Sequence, residues 1–408
     1  MAGDQLTAEP LARPSRGRVA LRVLAIYLAA RLVTTLFLFV AAELSGFQSR
    51  MGADADLGDT VVAWDGAWYW LVAFSGYPNP LPLTDAGQVA ENAWAFLPLY
   101  PYLSQAVALP FGGQWGTGAL IVSLVAGYGA SVALYGLLRL RLDQSATLWA
   151  VAFFASGPLA ALFQVGYAEA LNLFWLFCAL WCVARRRYGW LYVLIPLMAF
   201  TRPGVLAFAL FLGLFGVWRW VRRAREPLRA PEVVHIVALG LLSVVAGFAW
   251  QLIAGWVTGE PGAYLSTELA WRRNWVAGDP SFAPFEPFLA GISFWFETMW
   301  HLPLALGYVL VGAGVLVIGA ALAFLPQVRR LGVEIRLWSA SYLVYLLLVF
   351  FPQSSIFRLL VPLSPLWGAF AVPRSRVWRV GVLVACLIGQ WWWIYNMYAL
   401  GSSSWQVP

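Results

Sequence analysis

Charge is scarce in this sequence, and lysine is absent altogether. Charged residues make up 11% of the 408 residues, hydrophobic residues make up 61%, and all 26 basic residues are arginine. Soluble domains carry roughly 25% charged residues. The composition therefore excludes an ordinary soluble domain and predicts a polytopic membrane protein.

Side chains for several common chemistries are also scarce. The three cysteines, Cys178, Cys182 and Cys386, lie in apolar runs and offer neither a disulfide framework nor a metal-ligand spacing. The two histidines, His235 and His301, are far apart in the sequence, which leaves histidine metal sites and Ser-His triads without the necessary parts. There is no Walker loop and no GxGxxG motif for a nucleotide.

Apolar runs close to the ~20 residues that cross a bilayer predict eleven transmembrane helices. The first run is longer than a signal-peptide core and has no clear cleavage site, so we expect it to be retained. The predicted spans are 20–42, 116–138, 146–164, 168–184, 188–201, 203–219, 233–257, 303–325, 336–351, 359–373 and 377–400.

The arginines orient this layout. With a cytoplasmic N-terminus, 20 of the 26 arginines fall in cytoplasmic segments, as the positive-inside rule requires. This distribution explains the net charge of +7 without nucleic acid as a partner. We predict a cytoplasmic tail over 1–19, one transmembrane domain over 20–400 and an external tail over 401–408.

Two external loops, about 43–115 and 258–302, are long and rich in aromatic residues. Such loops are typical of short interfacial helices with aromatic anchors in contact with membrane lipids. Because the cytoplasmic loops are too short for a nucleotide site, any chemistry is expected at the external face of the cell membrane. Substrates there are expected to be lipid-linked.

The first external loop contains an aspartate among aromatic residues, in "AWDGAWYW". On a helix Asp65 and Tyr69 would share one face, as would Trp64 and Trp68. A carboxylate held in this way can act as a general base. The alternative is an aspartate that solvates an interfacial loop.

The same loop contains an acidic cluster, "DADLGD". Asp54, Asp56 and Asp59 could supply oxygen ligands to a divalent cation. The alternative is a solvated acidic loop.

A glutamate and two arginines lie at the external ends of predicted spans. Glu169 follows Tyr167 in "FQVGYAEALNLF" and would begin a helix, where the helix dipole favours a carboxylate. Arg202, in "FTRPGVLAF", and Arg358, in "SSIFRLLVPLSPLWG", are candidates to bind phosphate. The alternatives are helix capping for the glutamate and contact with lipid headgroups for the arginines.

Two further expectations concern single residues in the spans. Thr201 or Arg202 is predicted to cap a helix that has Pro203 at its first position. Arg31 lies deep in the first predicted span, where an unpaired charge is costly, so we expect an acidic partner from a neighbouring span or loop.

Four segments, "AWDGAWYWLVAFSGY", "AFLPLYP", "GYAEALNLFWLF" and "AFTRPGVL", resemble in order and spacing the motifs of the PIG-V family. These are mannosyltransferases known from glycosylphosphatidylinositol assembly, with bacterial relatives. The resemblance covers about residues 20–215 by motif and the C-terminal half by layout. The chain departs from the family pattern at Gly66, Leu97 and Ala168.

The resemblance implies a GT-C glycosyltransferase fold, a polyprenyl-phosphate-mannose donor and inversion at the anomeric carbon. It places the catalytic carboxylate, which would act as the general base, in the first external loop at Asp65. The acceptor would be a lipid-linked glycan, a lipoglycan or a protein, and a metal would be optional. The residues expected to bind the donor phosphate or the substrates are Arg202, Arg358, Glu169, Tyr69, Trp64, Trp68 and Tyr167.

Two other functions remain compatible with the sequence. A lipid or glycolipid transporter would use the same aromatic belts and external arginines, although the internal repeats common in transporters are not seen. A non-catalytic subunit is disfavoured because the acid and both arginines are present.

Overall fold

The computed structural model describes residues 16–276, 281–401 and 408, and these are almost entirely helical. Within these ranges the extended structure is one isolated bridge between Leu83 and Val89. The first helix begins at Arg16, inside the predicted cytoplasmic tail. The rest of that tail, and residues 402–407 of the predicted external tail, lie outside the described residues.

Eighteen α-helices occur in the described part of the chain, with short 3₁₀ and π segments between them. They are α1 (Arg16–Glu43), α2 (Leu57–Val62), α3 (Asp65–Ser75), α4 (Leu99–Ala108), α5 (Trp115–Leu138), α6 (Gln144–Ala155), α7 (Glu169–Ala184), α8 (Leu191–Ala199), α9 (Val205–Val221), α10 (Ala230–Thr258), α11 (Ala263–Arg272), α12 (Glu286–Ser293), α13 (Leu304–Phe324), α14 (Pro326–Arg329), α15 (Val333–Val349), α16 (Ile356–Leu359), α17 (Trp367–Ala371) and α18 (Arg376–Ile394).

Five helical segments of the described chain are long and apolar enough to cross a membrane. They correspond to α1, α5, α10, α13 and α18 with its π-helical extension to Leu400. Four further predicted spans coincide with shorter apolar helices at α6, α7, α8 and α9. The prediction of an all-α membrane protein is confirmed, whereas the number of spans remains a prediction.

Two predicted spans are interrupted where proline or glycine ends a helix. The predicted span 359–373 consists of α16, a 3₁₀ segment at Val361–Leu366 and α17. That segment contains Pro362 and Pro365, which lack the N–H that a continuous α-helix requires. In the predicted span 146–164, α6 ends at Ala155 and is followed by Gly157 and Pro158. In both places a proline prevents the α-helix from continuing.

The packed centre of the molecule is built around α5, which contacts α7, α4 and α1. Glycines allow this close approach. A Cβ at Gly118 would lie 2.1 Å from the carbonyl oxygen of Ser104, and one at Gly127 would lie 2.3 Å from the hydroxyl of Tyr27. Small residues at helix contacts are the usual means of tight packing in membrane proteins.

Arg31 has a different partner from the one predicted. Its guanidinium donates to the backbone carbonyls of Ala155, at 2.5 Å, and Ala160, at 2.6 Å, and lies over the rings of Tyr27 and Phe163. The expected acidic partner was therefore wrong. Ala155 is the last residue of α6, and the final carbonyls of a helix have no partner within that helix, so they can accept from an arginine.

The two long loops pack against each other. Asn92 of the first loop donates to the Thr267 hydroxyl on α11 at 2.9 Å, and Arg273 of the second loop donates to the carbonyl of Val89. The first loop is also attached to α10, because Trp250 donates to the carbonyl of Trp94 at 2.9 Å. These contacts place α11 beside α3, the helix that begins with Asp65.

Candidate functional site

Asp65 is the first residue of α3, and the backbone before it is constrained. Trp64 has φ 56° and ψ −120°, a conformation that is strained for a residue with a side chain. Its indole N–H donates to the carbonyl of Met397 at 2.8 Å, which attaches the start of α3 to the C-terminal segment. The carboxylate of Asp65 is thereby held at a fixed point, near the positive end of the helix dipole.

The residue after the aspartate must be small. A Cβ at Gly66 would lie 2.7 Å from the carbonyl oxygen of Val61, and that oxygen accepts a hydrogen bond from Gly166 at 2.8 Å. The departure from the family motif at Gly66 therefore has a packing reason. The close approach also joins the Asp65 segment to the segment that leads into Glu169.

Four charged residues predicted from separate parts of the sequence form one cluster. Arg358 donates to Asp65, and its Nε lies 3.2 Å from Glu169 Oε1. Arg202 donates to the same Glu169 oxygen. The charges alternate along the chain of contacts Asp65–Arg358–Glu169–Arg202, which we call the acid–arginine cluster.

The acid–arginine cluster is buried to different degrees along its length. The side chain of Glu169 is 5% exposed, whereas that of Asp65 is 21% exposed and is the most accessible of the four. Glu169 Oε2 is buried and has no hydrogen-bond partner among the described residues. The cluster therefore has an accessible carboxylate at one end and unused hydrogen-bonding capacity at its centre.

Both arginines of the cluster are stabilised as cations. Burial lowers the pKa of Arg358, but the carboxylates of Asp65 and Glu169 outweigh burial and leave this pKa above its usual value. For Arg202 burial also lowers the pKa, and the carboxylate of Glu169 reverses the effect. The cluster therefore presents two fixed positive charges in a largely buried setting, where electrostatic interactions are strong.

One cavity is lined by members of the cluster, and a second cavity lies beside the first. The first is small, about 30 Å³, and its lining includes Glu169, Arg202, Arg358 and Tyr342. The second, about 310 Å³, is almost entirely apolar and lies between the 3₁₀ segment after α6 and the α16–α17 region. Val361 lines both cavities. An apolar space thus lies next to the charged one.

The predicted helix cap at Arg202 was wrong. Helix α9 begins at Val205, and its N-cap is Gly204 with φ 129°, a conformation that favours glycine. The Thr201 hydroxyl donates back to the carbonyl of Leu197, and the Arg202 side chain is directed to Glu169. Pro203 lies two residues before the helix rather than at its first position.

The predicted aromatic residues surround the cluster at different distances. Tyr167 is fully buried, and the Arg358 guanidinium lies 5.3 Å from its ring centroid. Tyr69 is also buried and packs edge-to-face on Phe96 at 5.2 Å. Trp68 stacks on the same Phe96 ring at 5.5 Å. Tyr167 thus contacts a charged group of the cluster directly, whereas Tyr69 and Trp68 both pack on the ring of Phe96.

The acidic loop has a local role in the structure. Asp56 and Asp59 form a reciprocal capping box at the start of α2, each accepting the other's backbone N–H at 2.9 Å. Within residues 16–276 and 281–401, no group of three or more acidic, histidine or cysteine side chains is arranged to hold a metal ion. Asp54, Asp56 and Asp59 therefore do not form the cation site considered from the sequence.

The second long loop contributes residues that sequence reasoning missed. Tyr264, Glu268 and Trp271 follow one another on α11 at spacings of four and three residues, which places them on one helix face. That spacing was the available signal. Arg272 and Arg273 anchor this loop: Arg272 pairs with Glu286, and Arg273 donates to the carbonyl of Val89.

No protein-family model matches the chain, and no curated protein matches its sequence. Among solved structures it is similar to the archaeal oligosaccharyltransferase of Archaeoglobus fulgidus in complex with an inhibitory peptide and a dolichol-phosphate, at 14% identity and a TM-score of 0.49. That match covers 97% of this chain and 57% of the other. The apo form of the Archaeoglobus fulgidus enzyme gives 13% identity and a TM-score of 0.44, over 95% and 56%.

The chain therefore spans a little over half the length of these structures. What the described residues define by themselves is an all-α membrane protein with an acid–arginine cluster beside an apolar cavity. Its function is argued below from those residues.

Proposed function

We propose that the protein is an integral-membrane inverting glycosyltransferase. It moves a sugar, mannose by its resemblance to the PIG-V family, from a polyprenyl-phosphate donor to a hydroxyl group of a lipid-linked glycan or another acceptor. The observation that carries the proposal is the acid–arginine cluster, in which the accessible Asp65 carboxylate accepts from Arg358, and Glu169 joins Arg358 to Arg202. This is the arrangement needed to activate a hydroxyl and stabilise a leaving phosphate.

Asp65 is the proposed general base. Its carboxylate accepts the proton of the acceptor hydroxyl as the hydroxyl oxygen forms a bond to the anomeric carbon. The bond between that carbon and the donor phosphate oxygen breaks, and the phosphate leaves with the electron pair. Attack from the face opposite the phosphate inverts the anomeric carbon. Because phosphate is a good leaving group, one carboxylate is sufficient.

Arg358 and Arg202 are the proposed binding groups for the departing phosphate. Guanidinium groups form charge-assisted, often bidentate hydrogen bonds with phosphate oxygens. Fixed positive charges outside bulk water stabilise negative charge that develops in the transition state. Glu169 is a positioning residue in this scheme, since its Oε1 lies against both arginines. A bound phosphate would compete with Asp65 and Glu169 for these donors and free the Asp65 carboxylate.

The apolar cavity supports a lipid-linked donor. Phe357 and Leu360, which flank Arg358 in the α16 region, are among its lining residues. A prenyl chain in this cavity would bring its terminal phosphate to Arg358. Burial of apolar surface contributes roughly 0.8 kcal/mol per CH₂ group, so the cavity would add affinity for the lipid. The arginine distribution supports a site at the external face and a cytoplasmic N-terminus.

The test uses the purified protein in lipid with synthetic polyprenyl-phosphate mannose and a membrane glycolipid extract as acceptor. Wild type is expected to form labelled glycolipid, and Asp65→Asn is expected to lower the rate at least ~10²-fold, the range for loss of a general base. Asp85→Asn, at an exposed loop position, is the matched control and should remain active. A folded wild type that moves lipid between leaflets without forming product would instead support a transporter.

A further inference from the structure

One face of α11 lies near Arg202 of the acid–arginine cluster, and its two aromatic residues also pack against neighbouring hydrophobic residues. The anchors of α11 lie at other positions: Arg272 donates to the carbonyl of Ser281 at 2.9 Å and to Glu286 at 2.7 Å. Thr267 accepts from Asn92. Tyr264, Glu268 and Trp271, which we call the α11 face, are therefore presented on a fixed helix.

Trp271 connects the α11 face to the helix of the proposed base. Its ring packs edge-to-face on Trp68 at 5.3 Å, and Trp68 lies one helical turn after Asp65. The indole N–H of Trp271 is buried and has no hydrogen-bond partner among the described residues. Buried donors are normally paired, so an unpaired one beside the site is a group that a ligand can satisfy.

Glu268 lies three residues before Trp271 on the same face of α11. It is half-buried and lies one helical turn after Tyr264 on α11. Glu268 also acts electrostatically on Tyr345 of α15, whose ring stacks on Tyr342 at 6.3 Å. Since Tyr342 lines the small cavity, the α11 face and the acid–arginine cluster border one region of the molecule.

The protonation of Glu268 is set by this environment. Burial raises the pKa of Glu268 to about 7, while the Tyr264 hydroxyl and the guanidinium groups of Arg202 and Arg272 act in the opposite direction. A carboxyl group with such a pKa is costly to keep ionised, which is common for groups that serve a functional site. Glu268 can donate or accept hydrogen bonds near neutral pH.

We propose that the α11 face binds the hydroxyl groups of a sugar at the transfer site, with Glu268 as the central polar contact. The inference rests on the proposed function and names residues that would recognise its carbohydrate substrate. A carboxyl group and an indole N–H are complementary to sugar hydroxyls, and the aromatic rings of Tyr264 and Trp271 can pack on the apolar side of a sugar ring. The sugar belongs either to the donor or to the acceptor, and the experiment distinguishes them.

The first measurement separates binding from turnover. In an Asp65→Asn background, the Kd values of polyprenyl-phosphate mannose and of the purified acceptor glycolipid are measured in lipid nanodiscs. Adding Glu268→Gln should weaken one of these Kd values about 10-fold at pH 8, the effect of a lost hydrogen bond to a charged group. Trp271→Phe should weaken the same Kd about 3-fold. Glu260→Gln, at an exposed position before α11, is the control and should change neither.

The second measurement follows pH in the active protein. KM for the affected substrate should fall as the pH rises through about 7, because the ionised carboxylate accepts stronger hydrogen bonds. Glu268→Gln should remove this step and leave KM at the higher value. If Glu268 has only a structural role, Glu268→Gln will not change the KM of one substrate selectively and will not alter the pH dependence of that KM.

The outcomes separate the two proposals. Both Kd values unchanged within about 2-fold by Glu268→Gln and by Trp271→Phe would overturn sugar binding by the α11 face, whatever the activity. A wild type that transfers no sugar would overturn the proposed function. In that case a selective loss of sugar binding in the Glu268 variant would still support the α11 face as a sugar site.

Discussion

Helix α9 separates two clusters of buried charge that use the same residue types in different ways. Arg202 precedes the start of α9 and belongs to the acid–arginine cluster, whereas Arg219 lies in its last turn. The helix has 17 residues and is therefore about 25 Å long. Comparison of its two ends shows which features distinguish a structural ion cluster from a candidate active site.

In the cluster at the C-terminal end of α9, every donor of the arginine has a partner, and we call this cluster closed. Arg219 is 1% exposed, and its donors are used by Glu226 at 2.8 Å, by Glu232 at 3.0 Å and by the carbonyl of Pro227 at 3.2 Å. Tyr188 donates to the same Glu232 at 2.9 Å. Every group of this arginine is paired, and the cluster joins the end of α9 to the start of α10.

The acid–arginine cluster is open by comparison. Its four members come from α3, α7, the segment before α9 and α16, so no single connection between helices requires it. Asp65 is partly accessible, Glu169 has an unpaired oxygen, and a cavity adjoins the arginines. An ion pair alone is weak evidence of function or stability. It is the unpaired oxygen of Glu169 and the adjoining cavity that single out this end of α9.

The largest expected effect is on stability at the closed end. Arg219→Ala would leave the carboxylates of Glu226 and Glu232 without their cation, which should lower the free energy of unfolding by about 3 kcal/mol. Thermal unfolding of the purified protein in detergent measures this loss. A variant that keeps its stability but loses sugar transfer would contradict the structural role.

Next in size is the effect on catalysis at the open end. Arg358→Lys keeps the positive charge but loses the planar, bidentate geometry, so kcat should fall about 10²-fold. Steady-state transfer of labelled mannose measures it. The matched control is Arg219→Lys, which should leave kcat within about 3-fold of wild type once its lower stability is taken into account. Equal losses of kcat in the two variants would remove the distinction between the clusters.

Glu169→Gln tests the centre of the acid–arginine cluster. The amide keeps the shape of the side chain but removes the charge that holds both arginines, so KM for the donor should rise about 10-fold, with a smaller change in kcat. Separate titrations of donor and acceptor measure the split. A change confined to the acceptor KM would show that Glu169 does not act through the arginines proposed to bind phosphate.

The smallest expected effect is the dependence of stability on pH at Glu268. Because burial raises its pKa to about 7, the folded state holds this proton more tightly than the unfolded state. Its contribution to stability is present at low pH and is lost as the pH rises through about 7. Glu268→Gln should therefore raise Tm by about 2 °C at pH 8 and leave it unchanged at pH 4. Equal shifts at both pH values would contradict a buried, titrating carboxyl group.

The sequence predicted the members of the candidate site better than their arrangement. Asp65, Glu169, Arg202 and Arg358 each stood out locally, as charges at the predicted external ends of apolar runs. Their contacts were not predictable, because Asp65 and Arg358 are 293 positions apart and meet only through the packing of intervening helices. The same limit explains Arg31, whose carbonyl partners become available only where α6 ends.

The helices show the same contrast between features that the sequence predicts and features that it does not. Long uniform apolar runs such as α5, α10 and α13 were predicted to within a few residues, since hydrophobicity alone defines them. The segment 359–373 was not, because its prolines break the helix although its composition remains apolar. The α11 face was missed because its three residues gain meaning only from the contact between the two long loops.

The most direct test of the central claim, that Asp65 performs the chemistry at the open end of α9, is a single-turnover measurement. Labelled polyprenyl-phosphate mannose is bound to saturation in wild type and in Asp65→Asn, acceptor is added, and product is followed in time. We expect equal donor binding and at least a ~10²-fold slower transfer in the variant. Equal rates of transfer from the bound donor would contradict the account.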